Sequence, residues 1–141
     1  MTINELQDEV IDEFDAIGDD WMDRYQLLID MGEAQEPLPD SEKTEQNLIE
    51  GCQSRVWVSA RMEDGRMRLR AESDAMIVKG IVSLLLRILD NHTPREVLDA
   101  ELYFIDRIGL RDHLSPTRSN GLLAMVRQIR MYALAFDEMK K

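Results

Sequence analysis

The sequence predicts an α+β domain, a small three-stranded antiparallel sheet with helices packed on one face. Three observations carry that prediction. Apolar residues recur at helical spacing near the start of the chain and again after residue 73. Between them, residues 45–72 turn to short β-rich runs around an Asp-Gly pair. The resulting order, helices, then a meander, then helices, is that of helices segregated to one side of an antiparallel sheet. A chain of 141 residues fits one domain, 1–141, and is long enough to bury a core.

Each element has a local reason. Thr2-Ile3-Asn4-Glu5 is a capping box, and Ile3, Leu6, Val10, Phe14 and Ile17 follow at helical spacing. Gly18 breaks that pattern, and Asp19-Asp20 can begin a second helix that carries Trp21, Tyr25, Leu28 and Ile29 and stops near Gly32. "GEAQEPLPDSEKT" is a connection, because its prolines and polar residues suit neither helix nor strand. "VWVSARM" and "RMRLRAE" flank Asp64-Gly65, which predicts a hairpin of strands over 56–62 and 66–72. "EQNLIE", residues 45–50, is the candidate third strand. Ser73 or Asp74 can cap a helix to Leu89 that is apolar over more than half its circumference, and therefore central. "HTPREVL" places Thr93 as cap, Pro94 first and Glu96 closing the box. Ser115-Pro116 repeats the device before a long amphipathic helix. The nine methionines read as core filling.

Composition narrows the function classes. With 44% hydrophobic and 32% charged residues the chain is globular. Its net charge of −11 disfavours phosphate backbones, so no nucleic-acid partner is expected. An acidic surface also suits a basic protein patch, although solubility explains it equally well. The start, "MTINELQDEV", lacks the features of a signal peptide, and the longest apolar run, "GIVSLLL", is too short to span a bilayer. The expected location is the cytoplasm, with no membrane partner.

One cysteine, Cys52, cannot form an internal disulfide or supply a thiolate cluster for zinc or iron–sulfur. An isolated cysteine is most often a small buried hydrophobe. Three features of "LIEGCQSRVWVSA" argue otherwise. Cys52 lies in a polar turn at the mouth of a strand, beside Gln53 and Ser54. Gly51 permits close approach by another molecule. Arg55 can favour the thiolate, the reactive form. His92, in a turn between helices, reads as a surface residue, and His113 as a cap or packing residue. Neither has metal-site spacing. Arg118 stands in the first turn of a helix, where a cation opposes the macrodipole, which suggests a specific contact with a carboxylate such as Asp74 or with a partner.

Several segments together resemble the SufE family, sulfur acceptors that work with group II cysteine desulfurases and include the CsdE branch. "EKTEQNLIEGCQSRVWV" is similar to the family's active-site segment, "ESDAMIVKGIVSLLL" to its central helix, and "TPREVL" and "LSPTRSNGL" to its later motifs. The similarity runs from about residue 4 to the C-terminus, with shared spacing between motifs, and is loosest in the N-terminal third.

The resemblance implies the fold of the NifU/IscU scaffolds, a small antiparallel sheet with helices on one side. It implies that Cys52 accepts persulfide sulfur, stimulates the desulfurase and delivers sulfur for iron–sulfur cluster assembly. Gly51, Gln53, Ser54, Arg55, Asp74 and Arg118 are the candidate supporting and docking residues. The expected partners are a SufS- or CsdA-like cysteine desulfurase and a SufB-like scaffold complex. No cofactor or metal is expected on this chain, since pyridoxal phosphate belongs to the desulfurase. The chain is then an accessory protein and not an enzyme. A lone thiol suits a carrier, because a second one would resolve the persulfide and release sulfide. The alternative is a Cys-dependent hydrolase or thiol oxidoreductase. The second is disfavoured because Arg55, not cysteine, stands three residues after Cys52.

Overall fold

The computed structural model describes residues 1–49 and 54–139. Helix α1, Ile3–Ile17, opens on the expected capping box: the Glu5 N–H donates to Thr2 Oγ1 at 3.1 Å and the Thr2 N–H to Glu5 Oε1 at 3.0 Å. It stops at Gly18, whose φ of 88° a side chain would resist. Helix α2, Trp21–Glu33, is capped by Asp20, which accepts the Met22 N–H at 2.9 Å. Strands β1, Val56–Glu63, and β2, Arg66–Ser73, form an antiparallel hairpin in which Glu63 pairs with Arg66. Asp64 and Gly65 between them have φ of 54° and 80°. Two positive φ values are those of a type I′ turn, whose twist matches that of the strands.

Helix α3, Met76–Leu89, is central: Val78, Ile81, Val82, Leu84, Leu85, Ile88 and Leu89 are all buried. Full burial of each such side chain is worth roughly 1.5–3 kcal/mol. α2 crosses α3 so closely that a Cβ on Gly80 would lie 2.1 Å from the Leu28 carbonyl oxygen. Helix α4, Pro94–Asp99, has both hydrogen bonds of the Thr93–Glu96 capping box. Short helices α5, Phe104–Arg107, and α6, Leu110–His113, lead to α7, Pro116–Met139, where Ser115 Oγ accepts the Arg118 N–H at 3.2 Å. Buried Arg24 ties α1, α2 and α5 together by donating to the carbonyls of Gly18, Phe14 and Ile108.

Four expectations need correction. Among the described residues the sheet has two strands, not three. Of the run 45–50, the described residues 45–49 contribute a single antiparallel bridge, Leu48 to Trp57, with the Val58 N–H donating to Asn47 O and the Ile49 N–H to Val56 O. The Asn47 and Leu48 N–H groups donate back to Thr44 O, and this turn uses the donors that a longer ladder would need. Neither Ser73 nor Asp74 is the cap residue of α3: Ala75 is, and no side chain caps it. His92 is buried, not on the surface, with Nδ1 3.0 Å from Asp90 O and Nε2 3.0 Å from Met1 O. Of the nine methionines, Met67 and Met125 are core residues, whereas Met1, Met22, Met76, Met131 and Met139 are exposed.

The inner face of the hairpin, Val56, Val58, Leu69 and Ala71, packs into the core. Its outer face is covered by an extended segment instead of a helix. Leu38 is buried there, and its N–H donates to Glu72 Oε1 at 3.0 Å. Among the described residues, no helix is long and apolar enough to cross a membrane.

Candidate functional site

Residues Gly51, Cys52 and Gln53 lie outside the described residues, so the site is built from its two flanks. On the upstream flank, residues 38–49 are fastened to the hairpin. Glu42 accepts from Ser59 Oγ and from Arg70 Nη1, both at 2.8 Å. Lys43 Nζ is 2.6 Å from Glu72 Oε2 and sits 5.8 Å above the Trp57 ring. The Ser59 hydroxyl, helped by Arg70, holds the Glu42 carboxyl below the usual carboxylate range. Lys43, helped by the Leu38 N–H, does the same for Glu72, and Glu72 in turn raises Lys43. Tyr132 of α7 places its hydroxyl 3.1 Å from Asn47 Oδ1 and 3.2 Å from Val58 O, which joins α7 to both sides of the bridge.

On the downstream flank, Arg55 and Asp74 bind each other twice. The Arg55 N–H donates to Asp74 Oδ1 at 3.0 Å, and the Asp74 N–H donates to Arg55 O at 3.2 Å. Asp74 therefore spends its carboxylate on the chain just ahead of β1 and not on capping α3. The Ile49 N–H to Val56 O bond, 2.8 Å, joins the two flanks.

Ser54 lines a cavity of about 80 Å³ with Val78 and Ile81 of α3 and Thr117, Arg118, Gly121 and Met125 of α7. The lining is mixed: Val78, Ile81 and Met125 are buried and apolar, whereas Ser54, Thr117 and exposed Arg118 are polar. α7 can present these residues together because positions 117, 121 and 125 recur every four residues on one face. The structure thus joins Ser54 with Arg118, and Arg55 with Asp74. No ion pair joins Arg118 to Asp74 among the described residues, so the expected Arg118–carboxylate contact is not made to that residue. Val78, Ile81, Thr117, Gly121 and Met125 were not among the sequence candidates. The four-residue spacing of the α7 positions after "LSPTR" was the available signal.

Both histidines are engaged by other parts of the fold. His92 pairs with Met67 at the turn end of the hairpin, roughly 20 Å along the strand from Val56. His113 stacks on Trp21 with ring centroids 4.0 Å apart, and its Nδ1 lies 3.0 Å from Gly109 O, which can only accept a proton.

Comparison with known proteins agrees with this architecture. Residues 8–133 match the SufE family, described as an Fe–S metabolism associated domain. A solution structure of a hypothetical protein from Thermus thermophilus shares the fold, with a TM-score of 0.75 at 24% identity, over 92% of this chain and 94% of that one.

Proposed function

The chain belongs to the SufE family, associated with iron–sulfur metabolism, and from that premise we propose that Cys52 is a sulfur acceptor for a cysteine desulfurase. The Cys52 thiolate attacks the outer sulfur of the desulfurase persulfide. The bond between the two sulfurs of that persulfide breaks, and the desulfurase cysteine leaves as a thiolate. A new S–S bond forms on Cys52, with no net oxidation. Sulfur is then delivered to an iron–sulfur scaffold of the SufB type. The pyridoxal phosphate chemistry stays with the desulfurase, and this chain acts as a cytoplasmic accessory without a cofactor of its own.

The observation that carries the reading is the small cavity beside Ser54, which follows Cys52 by two residues. That separation is at most about 7 Å of extended chain. The cavity has room for only a few water-sized groups. It suits a thiol or persulfide head and not a metabolite. The buried side formed by Val78, Ile81 and Met125 would shield a persulfide from stray thiols and oxidants, while Arg118 in the lining and Arg55 in the adjoining chain favour the anion. The Ile49–Val56 bond and the Asp74 clamp hold the two flanks in place for engagement of the partner.

Intact-mass analysis after incubation with a SufS- or CsdA-like desulfurase and cysteine tests this. Wild type gains the mass of one or more sulfur atoms, removable by reductant, and Cys52→Ser gains none and stimulates turnover poorly. Equal stimulation by a folded Cys52→Ser protein would sink the proposal.

A further inference from the structure

The outer end of the hairpin carries a cluster of arginines that sulfur transfer does not use. A cleft of about 470 Å³ lies between the end of α2, the hairpin and the C-terminal half of α3. Arg61, Arg68 and Arg70 of the hairpin and Arg87 of α3 line it, against only two carboxylates, Glu36 and Asp90. Four guanidiniums thus line one cleft, although Glu63, Glu42, Glu9 and Glu13 pair with three of them from outside the lining.

The arrangement is unfavourable for stability alone. Arg61 and Arg68 stand directly opposite each other across the two strands. Like charges in that relation destabilise a hairpin. The pair at the turn shows the ordinary solution, Glu63 opposite Arg66. Carboxylates within the protein offset the conflict only in part. Arg61 pairs with Glu63 at 3.1 Å, but both side chains are half exposed, where such pairs contribute little. Arg68 reaches Asp90 Oδ1 only at 3.4 Å through Nε, and that oxygen already accepts the Leu69 N–H at 2.7 Å. Arg70 bonds Glu42 through Nη1, and Arg87 bonds Glu9 and Glu13 through Nη2. Each guanidinium has five N–H donors and commits one nitrogen to these carboxylates.

We propose that this cleft binds a small organic polyanion, one bearing a phosphate or at least two carboxylates. Guanidinium forks match the geometry of both groups. The concave shape and volume are those of small-molecule sites, roughly 300–1,000 Å³. Leu69 and Leu86 in the lining add apolar contact for a short carbon body. The ligand would offset the repulsion between Arg61 and Arg68, so its binding also stabilises the fold.

The test is an amide chemical-shift titration of the full chain with pyrophosphate and with citrate, at ionic strength held constant with sodium chloride. The expected result is saturable movement of the Leu69, Ser83 and Leu86 signals, with a rise in thermal midpoint. Arg61→Gln/Arg68→Gln should weaken binding by about tenfold or more. Arg111→Gln, which removes a charge on α6, should bind like wild type. Shifts that fail to saturate, or that sodium chloride alone reproduces, overturn the proposal. So does a folded Arg61→Gln/Arg68→Gln protein that titrates like wild type. Binding of polyglutamate without binding of either small anion would also overturn it, and would mark the cleft as a surface for an acidic polypeptide.

Discussion

Gly80→Ala should destabilise the protein strongly, although alanine is the better helix former. The new Cβ would lie 2.1 Å from Leu28 O, 2.5 Å from Leu28 C and 2.9 Å from Leu28 Cα. All three atoms are backbone, so no side-chain rotation relieves the clash. Raising 2.1 Å to the 3.4 Å of ordinary contact requires α2 and α3 to part by about 1.3 Å. A gap of that order forfeits a quarter to a half or more of the dispersion energy of each contact it opens. The contacts at risk include fully buried Leu28 and Leu84, with Ile81 beside them at 1% exposure. Alanine recovers roughly 1 kcal/mol in helix propensity. Overpacking typically costs about 1–3 kcal/mol, and more where backbone must move. With backbone on both sides of the clash the cost lies at the upper end, so the expected net loss is about 2 kcal/mol or more, which for a chain of this length lowers the thermal midpoint by roughly 6 °C or more. Circular dichroism melts and urea titrations of wild type and Gly80→Ala measure it. A midpoint unchanged or raised would refute the reasoning, because it would mean that helix propensity decides this position and not the crossing.

Other outcomes follow from the site and its supports. Arg118→Ala should lower stimulation of the desulfurase by roughly tenfold, from loss of a charge-assisted contact of about 1.5–3 kcal/mol, with the melting temperature unchanged. Unchanged stimulation with a large fall in melting temperature would make Arg118 structural. The folded carboxyls of Glu42 and Glu72 titrate below the ordinary value of 4.5, so their hold on residues 38–43 is complete above that value and is lost as pH falls through the lowered ones. In a Trp21→Phe protein, the emission of Trp57 under Lys43 should therefore change in acid below about pH 4.5, ahead of global unfolding. Glu72→Gln should remove most of that step, and a step that persists unchanged would show that this carboxylate does not fasten the segment.

Much of the architecture is legible in local pattern. Thr2–Glu5, Thr93–Glu96 and Ser115 act as caps because a capping side chain needs only the N–H three residues on. Asp64-Gly65 turns the hairpin because two positive φ values favour those residue types. The third strand fails because apolar content does not show which donors a turn will use. The run 45–50 has strand composition, yet its Asn47 and Leu48 N–H groups answer Thr44 O. The burial of His92 is hidden for a related reason. Its turn position says nothing about a carbonyl that arrives from 91 residues away.

What the sequence by itself determined is the set of short-range choices and the kind of chemistry: one thiol without a resolving partner, helix starts and stops, one hairpin, and motifs of the SufE family. Tertiary structure alone decided where the remaining side chains act. Asp74 serves as a clamp on Arg55, 19 residues back in the chain, rather than as the cap its position suggested. Arg118 meets Ser54 across a cavity between α3 and α7, and Gly80 is confined by Leu28 on another helix. The physical reason is range. Caps, turns and amphipathic faces are settled among residues within four positions of one another. Clamps, cavities and helix crossings depend on which surfaces the buried core brings together, and every distant residue that packs takes part in that outcome.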